Sequence, residues 1–402
     1  MKNNTTEKIF INDALVKCNR VMLSMAILLF GIGIIAVFSA DYSPISLASK
    51  SVKQFIWAFA GVILATSFTM LNYKKLNREK ILKVLLIIFT VMLAILFACS
   101  MLNQNIKIGD TGIGIRKING AYRWFSLGFF NFQPSVFIKV ILILFAAAKL
   151  SNIPDMKNKK VIKGNRDKSP LSIKEHAIKH KDILEILVFS LIILVLVLFQ
   201  PSFMVATSIG VIALAIIAQK NAKFFLGKYF FVIAAILLLI SIAVWNWLPH
   251  IHGRLGGDNF QSEQAILAIS SGGLTGLGIG QGEHKYPGRL PEVENDFIFS
   301  IIAQETGFIG SIIFLGIYLT FIATGFWTAL NAQDSFGKLA AFGITTNYAF
   351  SFLAHMFVNL GFVNTGASLP FVSYGGTAIL ADAIMLGILL NISSAKYERI
   401  RL

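Results

Sequence analysis

The chain has 402 residues, 55% of them hydrophobic and 14% charged, with 35 Phe, a mean hydropathy of +0.71 and a formal net charge of +16. Apolar stretches of about 20 residues recur along nearly the whole length, which excludes an ordinary soluble protein and identifies a polytopic membrane protein. Lys and Arg cluster between those stretches, so the positive charge belongs to loops facing the cytoplasm and the anionic inner leaflet rather than to a nucleic-acid site. Cys18 and Cys99 stand far apart and offer neither a disulfide framework nor a thiol metal site.

The polar lead MKNNTTEKIFINDALVKCNR shows no short cleavable apolar region and runs into a full-length span, so residues 1–20 are expected to stay on the cytoplasmic side. Spans are expected at about 21–40, 54–71 and 84–101, with the Lys- and Arg-rich loop YKKLNREKILK inside. The loop NQNIKIGDTGIGIRKINGAYRWFSLGFFNFQPS that follows is rich in Gly and aromatics and reads as a folded cap or interfacial segment. A fourth span, about 135–149, is short for a crossing and holds Lys139 one turn inside.

Residues 150–182 form the most polar stretch, a Lys-rich cytoplasmic loop expected to be mobile or partly helical. His176 and His180 could share a helix face there, but two histidines without a third ligand read as solvated. Spans at about 183–199 and 203–219 flank a sharp turn at 200–202, and a seventh, about 229–248, ends in the interfacial anchor WNWLPH. A large outer loop, 249–296, has no spanning run. The eighth span, about 297–327, is long enough for two helical parts or a tilted one, and spans at about 339–360 and 374–392 precede the basic tail 393–402. The expected fold is therefore all-α, a single integral membrane domain over 1–402 of about ten transmembrane helices, with both termini cytoplasmic.

Under this topology the Gly- and Pro-interrupted segments LGFFNFQPS, FQPSF and GASLPFVSYGG fall on one side, together with LPEVENDFIF. Irregular backbone near a membrane needs protein or a water-filled cavity to satisfy it, which points to a shared outward-facing cavity. Four carboxylates, Glu292, Glu294, Asp296 and Glu305, stand on and just inside the start of the eighth span. Asp296 is the sharpest case, because Phe297, Ile298 and Phe299 follow at once and an ionisable group in that position faces water, a cavity or a partner. Arg116, Lys117, Arg123, Lys139, Arg254 and Lys285 are the basic candidates, suited to an anionic lipid headgroup. The run SSGGLTGLGIG is not a P-loop, since no GK[ST] follows and no strand precedes, and its glycines read as permitting close packing.

Taken together, GAYRWFSLGFFNFQPS (120–135) with Lys139, QAILAISSGGLTGLGIG (264–280), LPEVENDFIF (290–299), QETGFIG (304–310) and GASLPFVSYGGT (366–377) resemble the SEDS family of bacteria, which includes FtsW, RodA and SpoVE. The resemblance implies a ten-helix peptidoglycan glycosyltransferase that polymerises lipid II at the outer face of the cytoplasmic membrane, working with a class B penicillin-binding protein in division, elongation or sporulation. It assigns the essential acid to Asp296 as general base. It assigns Arg123, Trp124 and Lys139 to the substrate, with Arg123 and Lys139 holding the departing pyrophosphate, and it marks Glu292, Glu305, Ser373 and Tyr374 in the matched stretches as further substrate-binding candidates. A divalent cation, magnesium or manganese, is compatible with this arrangement, and the sequence assigns it no ligands.

The chain departs from the family pattern in four places. Val136 stands where an acid usually follows QPS, and Ser202 where the second turn usually has Asp. Glu294 and Asn295 replace the usual His-Thr, and Leu277 replaces a basic residue in the glycine run. Without an acid at 136, Lys139 lacks its near neighbour unless another acid compensates. These changes resemble a divergent paralogue. Two readings of other classes stand beside the polymerase: a transporter of the lipid-linked precursor, and a non-catalytic scaffold for a penicillin-binding protein.

Overall fold

The structure, a computed structural model, describes residues 19–41, 46, 49–108, 113–118, 120–128, 130–152, 170–220, 260–286 and 288–395. The expected seventh span, Arg254, Cys18, the tail beyond 395 and the side chains of His176 and His180 lie outside that description.

Apolar runs fold into helices in the expected order: α1 (Arg20–Ala40), α2 (Lys50–Met70), α3 (Glu79–Leu102), α4 (Pro134–Ser151), α5 (Pro170–Leu198), α6 (Phe203–Lys220), α7 (Phe260–Ser271), α8 (Ile298–Asn331), α9 (Ser335–Asn359) and α10 (Gly376–Ala395). Seven of them are long and apolar enough to cross a membrane: α1, α2, α3, α4, α6, α8 and α10. Several starts are set by side chains that accept otherwise orphaned N–H groups: Asn19 from Met22 and Asp334 from Gly337. The expected short fourth span is real. With 18 residues, α4 is about 27 Å long at 1.5 Å per residue, close to the hydrocarbon thickness.

From α1 to α6, and again from α8 to α10, successive helices run in opposite directions, which contacts at their ends make plain. At one end Lys149 pairs with Glu79, Asp182 and Glu185, tying α3, α4 and α5 together, while Lys220 bonds Ser335 and Asn19 bonds Ser393. At the other end lie the interhelical loop 103–133, the turn at 200–202 and segments 272–297 and 360–375.

Helices α4 and α10 are buried on most of their surface and form the middle of the bundle, with α10 packed along α2 and α4 against α3 and α9. A helix apolar on all sides belongs in such a place. The outward residues of α1, α2, α3 and α8, among them Ile35, Phe59, Ile88 and Ile312, are exposed and apolar, as a hydrocarbon environment requires.

Two features add to the all-helical expectation. The loop after α3 folds into a small antiparallel sheet, β1 (Ile106–Ile108), β2 (Ile113–Ile115), β3 (Phe125–Leu127) and β4 (Asn131–Phe132), in the order β1-β2-β3-β4. Its Ile115, Tyr122 and Phe125 pack on Leu96 and Cys99 of α3, so the Gly- and aromatic-rich segment is a folded cap.

The second feature is a break in α8. At 34 residues it would extend about 51 Å as one helix, well beyond the bilayer core. It is interrupted at Gly307, whose φ of 66° and ψ of −165° are non-helical. The glycine segment fills the break: Leu277 and Gly278 N–H donate to the carbonyls of Gln304 and Glu305, and Phe308 and Ile309 N–H donate to those of Gly273 and Leu274. Polar backbone freed inside the membrane is thereby satisfied by protein. Gly276 is required at this crossing, because a Cβ there would lie 2.1 Å from the Glu305 carbonyl oxygen and its φ is +83°.

Candidate functional site

Asp296 sits just before α8, half-buried, at the end of a turn in which its N–H and that of Asn295 both donate to the Glu292 carbonyl at 3.0 Å. Glu292 adopts a left-handed φ of 52° to make that turn.

Two neighbours fix the acid. Asn359, the last residue of α9, donates from Nδ2 to the Asp296 carbonyl at 3.0 Å and accepts at Oδ1 from both Ser300 N–H (3.0 Å) and Ser300 Oγ–H (2.7 Å). Gly366 lies flat against the carboxylate, since a Cβ at that position would come within 2.2 Å of Asp296 Oδ2. One turn earlier on α9, His355 bonds Ala367 O through Nδ1 at 2.6 Å and accepts the Phe299 N–H at Nε2, linking α8, α9 and the 360–375 segment.

Ser373 and Tyr374 join the same site through the backbone. Tyr374 N–H donates to the Glu294 carbonyl at 2.9 Å and Ser373 Oγ to the Asn295 carbonyl at 2.6 Å, while Ser373 Oγ also accepts the Leu369 N–H at 2.8 Å. Burial pushes the Tyr374 phenol above its usual range; Lys50 acts in the opposite direction, and Glu294 and Asp41 add to the rise. Lys50, the first residue of α2, is ion-paired with Glu294. Glu292, Glu294, Asp296, Ser373 and Tyr374 are thus one constellation, and Lys50 is a member that sequence reasoning missed.

The remaining candidates are placed elsewhere. Glu305 is buried on α8, where Oε1 accepts from Ser39 Oγ and from Gly282 N–H at 3.2 Å, with Lys285 Nζ at 3.9 Å. It fastens the glycine segment to α1 and α8. Beside it Gln304 bonds Ser271 at 2.9 Å and His284 Nδ1 at 2.8 Å, and burial followed by the Arg289 charge pushes the His284 imidazole below its ordinary range.

Arg123 donates through Nε to the Gln200 carbonyl at 2.7 Å and through Nη2 to that of Pro201, with its guanidinium 5.8 Å from the Trp124 ring centre. It holds the 200–202 turn where Ser202 replaces an acid, so backbone carbonyls receive the cation there.

Lys139 is buried in the middle of the bundle, and among the described residues its ammonium forms no hydrogen bond or ion pair. The carboxylate that acts on it electrostatically is Asp382, buried on the packed neighbour α10. The counter-charge missing at Val136 is therefore carried by α10. A lone acid in LADAIML was legible as an intramembrane charge demanding a partner.

A cavity of about 460 Å³ opens between α1 and the glycine segment, lined by Ile34, Ile35, Phe38, Ser39, Asp41, Ile279, Gly280 and Lys285. Asp296 does not line it. Its polar rim meets the site through Asp41, whose Oδ2 accepts the Ser51 N–H at 2.8 Å beside Lys50. Among the described residues no three His, Cys, Asp or Glu side chains come together as metal ligands. Glu292 is the exposed carboxylate of the turn, and a magnesium-type ion is the kind that takes one carboxylate together with substrate phosphates.

An antiparallel bundle of lipid-facing helices, with an acid fixed at one end among irregular segments, defines a polytopic membrane protein with a polar site at the membrane boundary. The sequence pattern of the family described as "Cell cycle protein", FtsW/RodA/SpoVE, matches residues 19–398, and the chain belongs to that family. It is 29% identical to "Probable peptidoglycan glycosyltransferase FtsW" of Trichlorobacter lovleyi, over 93% of this chain and 92% of the relative. It is 30% identical to "Stage V sporulation protein E" of Bacillus subtilis, over 94% and 97%. Its fold matches a chain from a peptidoglycan synthase complex solved for the structural coordination of polymerization and crosslinking, with a TM-score of 0.70 and 22% identity over 95% of this chain and 99% of that one.

Proposed function

We propose that this chain is a peptidoglycan glycosyltransferase that polymerises the disaccharide of lipid II at the outer face of the bacterial cytoplasmic membrane. The names of its curated relatives support the activity, and the synthase-complex likeness supports a class B penicillin-binding protein as partner. The orientation rests on charge: Lys74, Lys75, Arg78, Lys80, Lys83, Lys149 and Lys220 gather at the end opposite Asp296, which makes that end cytoplasmic, with both termini on the same side.

The observation that carries the reading is the fixed acid. Asn359 holds the Asp296 main-chain carbonyl and Gly366 lies against its carboxylate, which is half-buried just before the start of α8. A hydroxyl of the acceptor sugar attacks the donor's anomeric carbon as the bond from that carbon to the lipid pyrophosphate breaks. The hydroxyl proton passes to the Asp296 carboxylate, and the configuration inverts. Lys139 is the cation assigned to the pyrophosphate charge, while Arg123 and Trp124 act through the turn that Arg123 holds. Glu292 is the carboxylate that would hold a divalent cation, and such an ion would add neutralising charge for the pyrophosphate.

The test is polymerisation of labelled lipid II by the purified full-length protein, with and without its partner. Polymer that vanishes in Asp296→Ala supports the reading. Polymer retained in that variant overturns the role of Asp296, and lipid movement in liposomes without polymer replaces the polymerase with a transporter.

A further inference from the structure

Lys50 stands outside every motif in the sequence, yet it touches the turn that bears Asp296. As the first residue of α2 it places an ammonium at the positive end of a helix, where a cation is disfavoured. Such a local conflict calls for a compensating contact. The contact is Glu294, whose side chain is 9% exposed and which is ion-paired with Lys50 Nζ; Glu292 adds further electrostatic attraction. The Lys50 side chain is 49% exposed, so the pair spans from the buried turn to the water boundary.

The backbone around that pair shows what it fixes. The Glu294 carbonyl is held by Tyr374 N–H, the Asn295 carbonyl by Ser373 Oγ and the Asp296 carbonyl by Asn359, so three consecutive peptide groups are anchored to the 360–375 segment and α9. Gln54, one turn along α2 from Lys50, bonds the Ser373 carbonyl at 3.4 Å. Only the Lys50–Glu294 pair, among the contacts described, reaches from α2 directly to the 292–296 turn.

We propose that Lys50 is a positioning residue for glycosyl transfer, acting through Glu294 to lock the turn that presents Asp296 against α2. This rests on the proposed role of Asp296. An uncompensated Glu294 would leave a second buried carboxylate two residues from the acid and release the turn from α2. Glu294 stands where the resemblance expects His, so the resemblance itself does not supply this pair.

The experiment compares kcat and KM for labelled lipid II in full-length wild type, Lys50→Arg, Lys50→Glu and the charge swap Lys50→Glu with Glu294→Lys, with melting in detergent measured for each. The expected result is a loss in kcat of about tenfold or more for Lys50→Glu with KM little changed, retention in Lys50→Arg, and recovery of at least half the loss, on a logarithmic scale, in the swap. A folded Lys50→Glu with unchanged kcat overturns the inference. So does a rise in KM that the swap leaves uncorrected, which would make Lys50 a direct substrate ligand. If Lys50→Glu does not fold, Lys50→Gln against Lys50→Gln with Glu294→Gln is judged by the same rule. Asp296→Asn in the same assay separates the two readings: polymer from it removes the catalytic role itself, whereas an inactive Asp296→Asn beside an active Lys50→Glu removes only the role of Lys50.

Discussion

Asn359 and Asp296 are joined by a 3.0 Å hydrogen bond from the amide of the former to the main-chain carbonyl of the latter, across the junction of α9 and α8. The same amide oxygen receives two donors from Ser300. One neutral side chain thus sets where α8 begins and where the acid before it points. Asn359→Ala takes the acceptor from the buried Ser300 hydroxyl, while the Ser300 N–H keeps the Phe297 carbonyl, at about 1–3 kcal/mol for the unsatisfied group. The expected outcome is a lower melting temperature in detergent together with reduced polymer synthesis, whereas Asn359→Asp keeps the acceptor and retains more of the stability.

Gly366 gives a test of geometry with little change in chemistry. Gly366→Ala would drive a methyl group to 2.2 Å from Asp296 Oδ2, so the carboxylate must move. The position is near the boundary and next to a loop, where the fold tolerates the change. We expect a fall in kcat of about a hundredfold, of the order that a 1 Å misplacement causes, with melting close to wild type.

Lys139 and Asp382 share the bundle core. Asp382→Asn removes the carboxylate that acts on the buried Lys139 ammonium, so expression and melting in detergent are expected to fall. Val136 is buried one turn before Lys139 on α4, so Val136→Glu puts an acid at i,i+3 from it. Combining Val136→Glu with Asp382→Asn is expected to restore expression and melting above the level of Asp382→Asn alone. Equal melting of the single and double variants would show that the two positions do not share the lysine.

The glycine segment gives a pH dependence. Burial and Arg289 hold His284 below its ordinary value of 6.5, so the folded protein binds fewer protons than the unfolded chain as pH falls from about 6.5 toward the depressed value. Stability is therefore full above about pH 6.5 and declines as acid is added below it. The Gln304 hydrogen bond and the Glu283 charge act in the opposite direction and limit the depression. The melting temperature of wild type should fall between pH 7 and 5.5 more than that of His284→Gln, read by scanning fluorimetry in detergent.

Much of this architecture was legible because it follows from the cost of burying polar groups. Apolar runs of bilayer length gave α1 through α4, and the length of the eighth span left two helical parts or a tilted helix open, of which the break at Gly307 realises the first. The carboxylate at Asp296 stood out because it precedes three apolar residues. Tertiary pairings were not legible. Glu305 reads from its position as a site residue, yet it fastens the glycine segment, because its partners Ser39 and Gly282 lie 266 and 23 residues away. Lys50 reads as an ordinary lysine before a span, and only the fold brings it to Glu294. The sheet over α3 was hidden by strands of two or three residues, too short for alternation to register.

The most direct measurement is gel-resolved glycan polymer from Asp296→Asn beside the wild type, with lipid II binding measured on the same preparations. Removal of the base with its shape kept should leave binding within about threefold and lower polymer by about a thousandfold or more, the upper range for a general base. Polymer at the wild-type level from a folded Asp296→Asn protein would contradict the account.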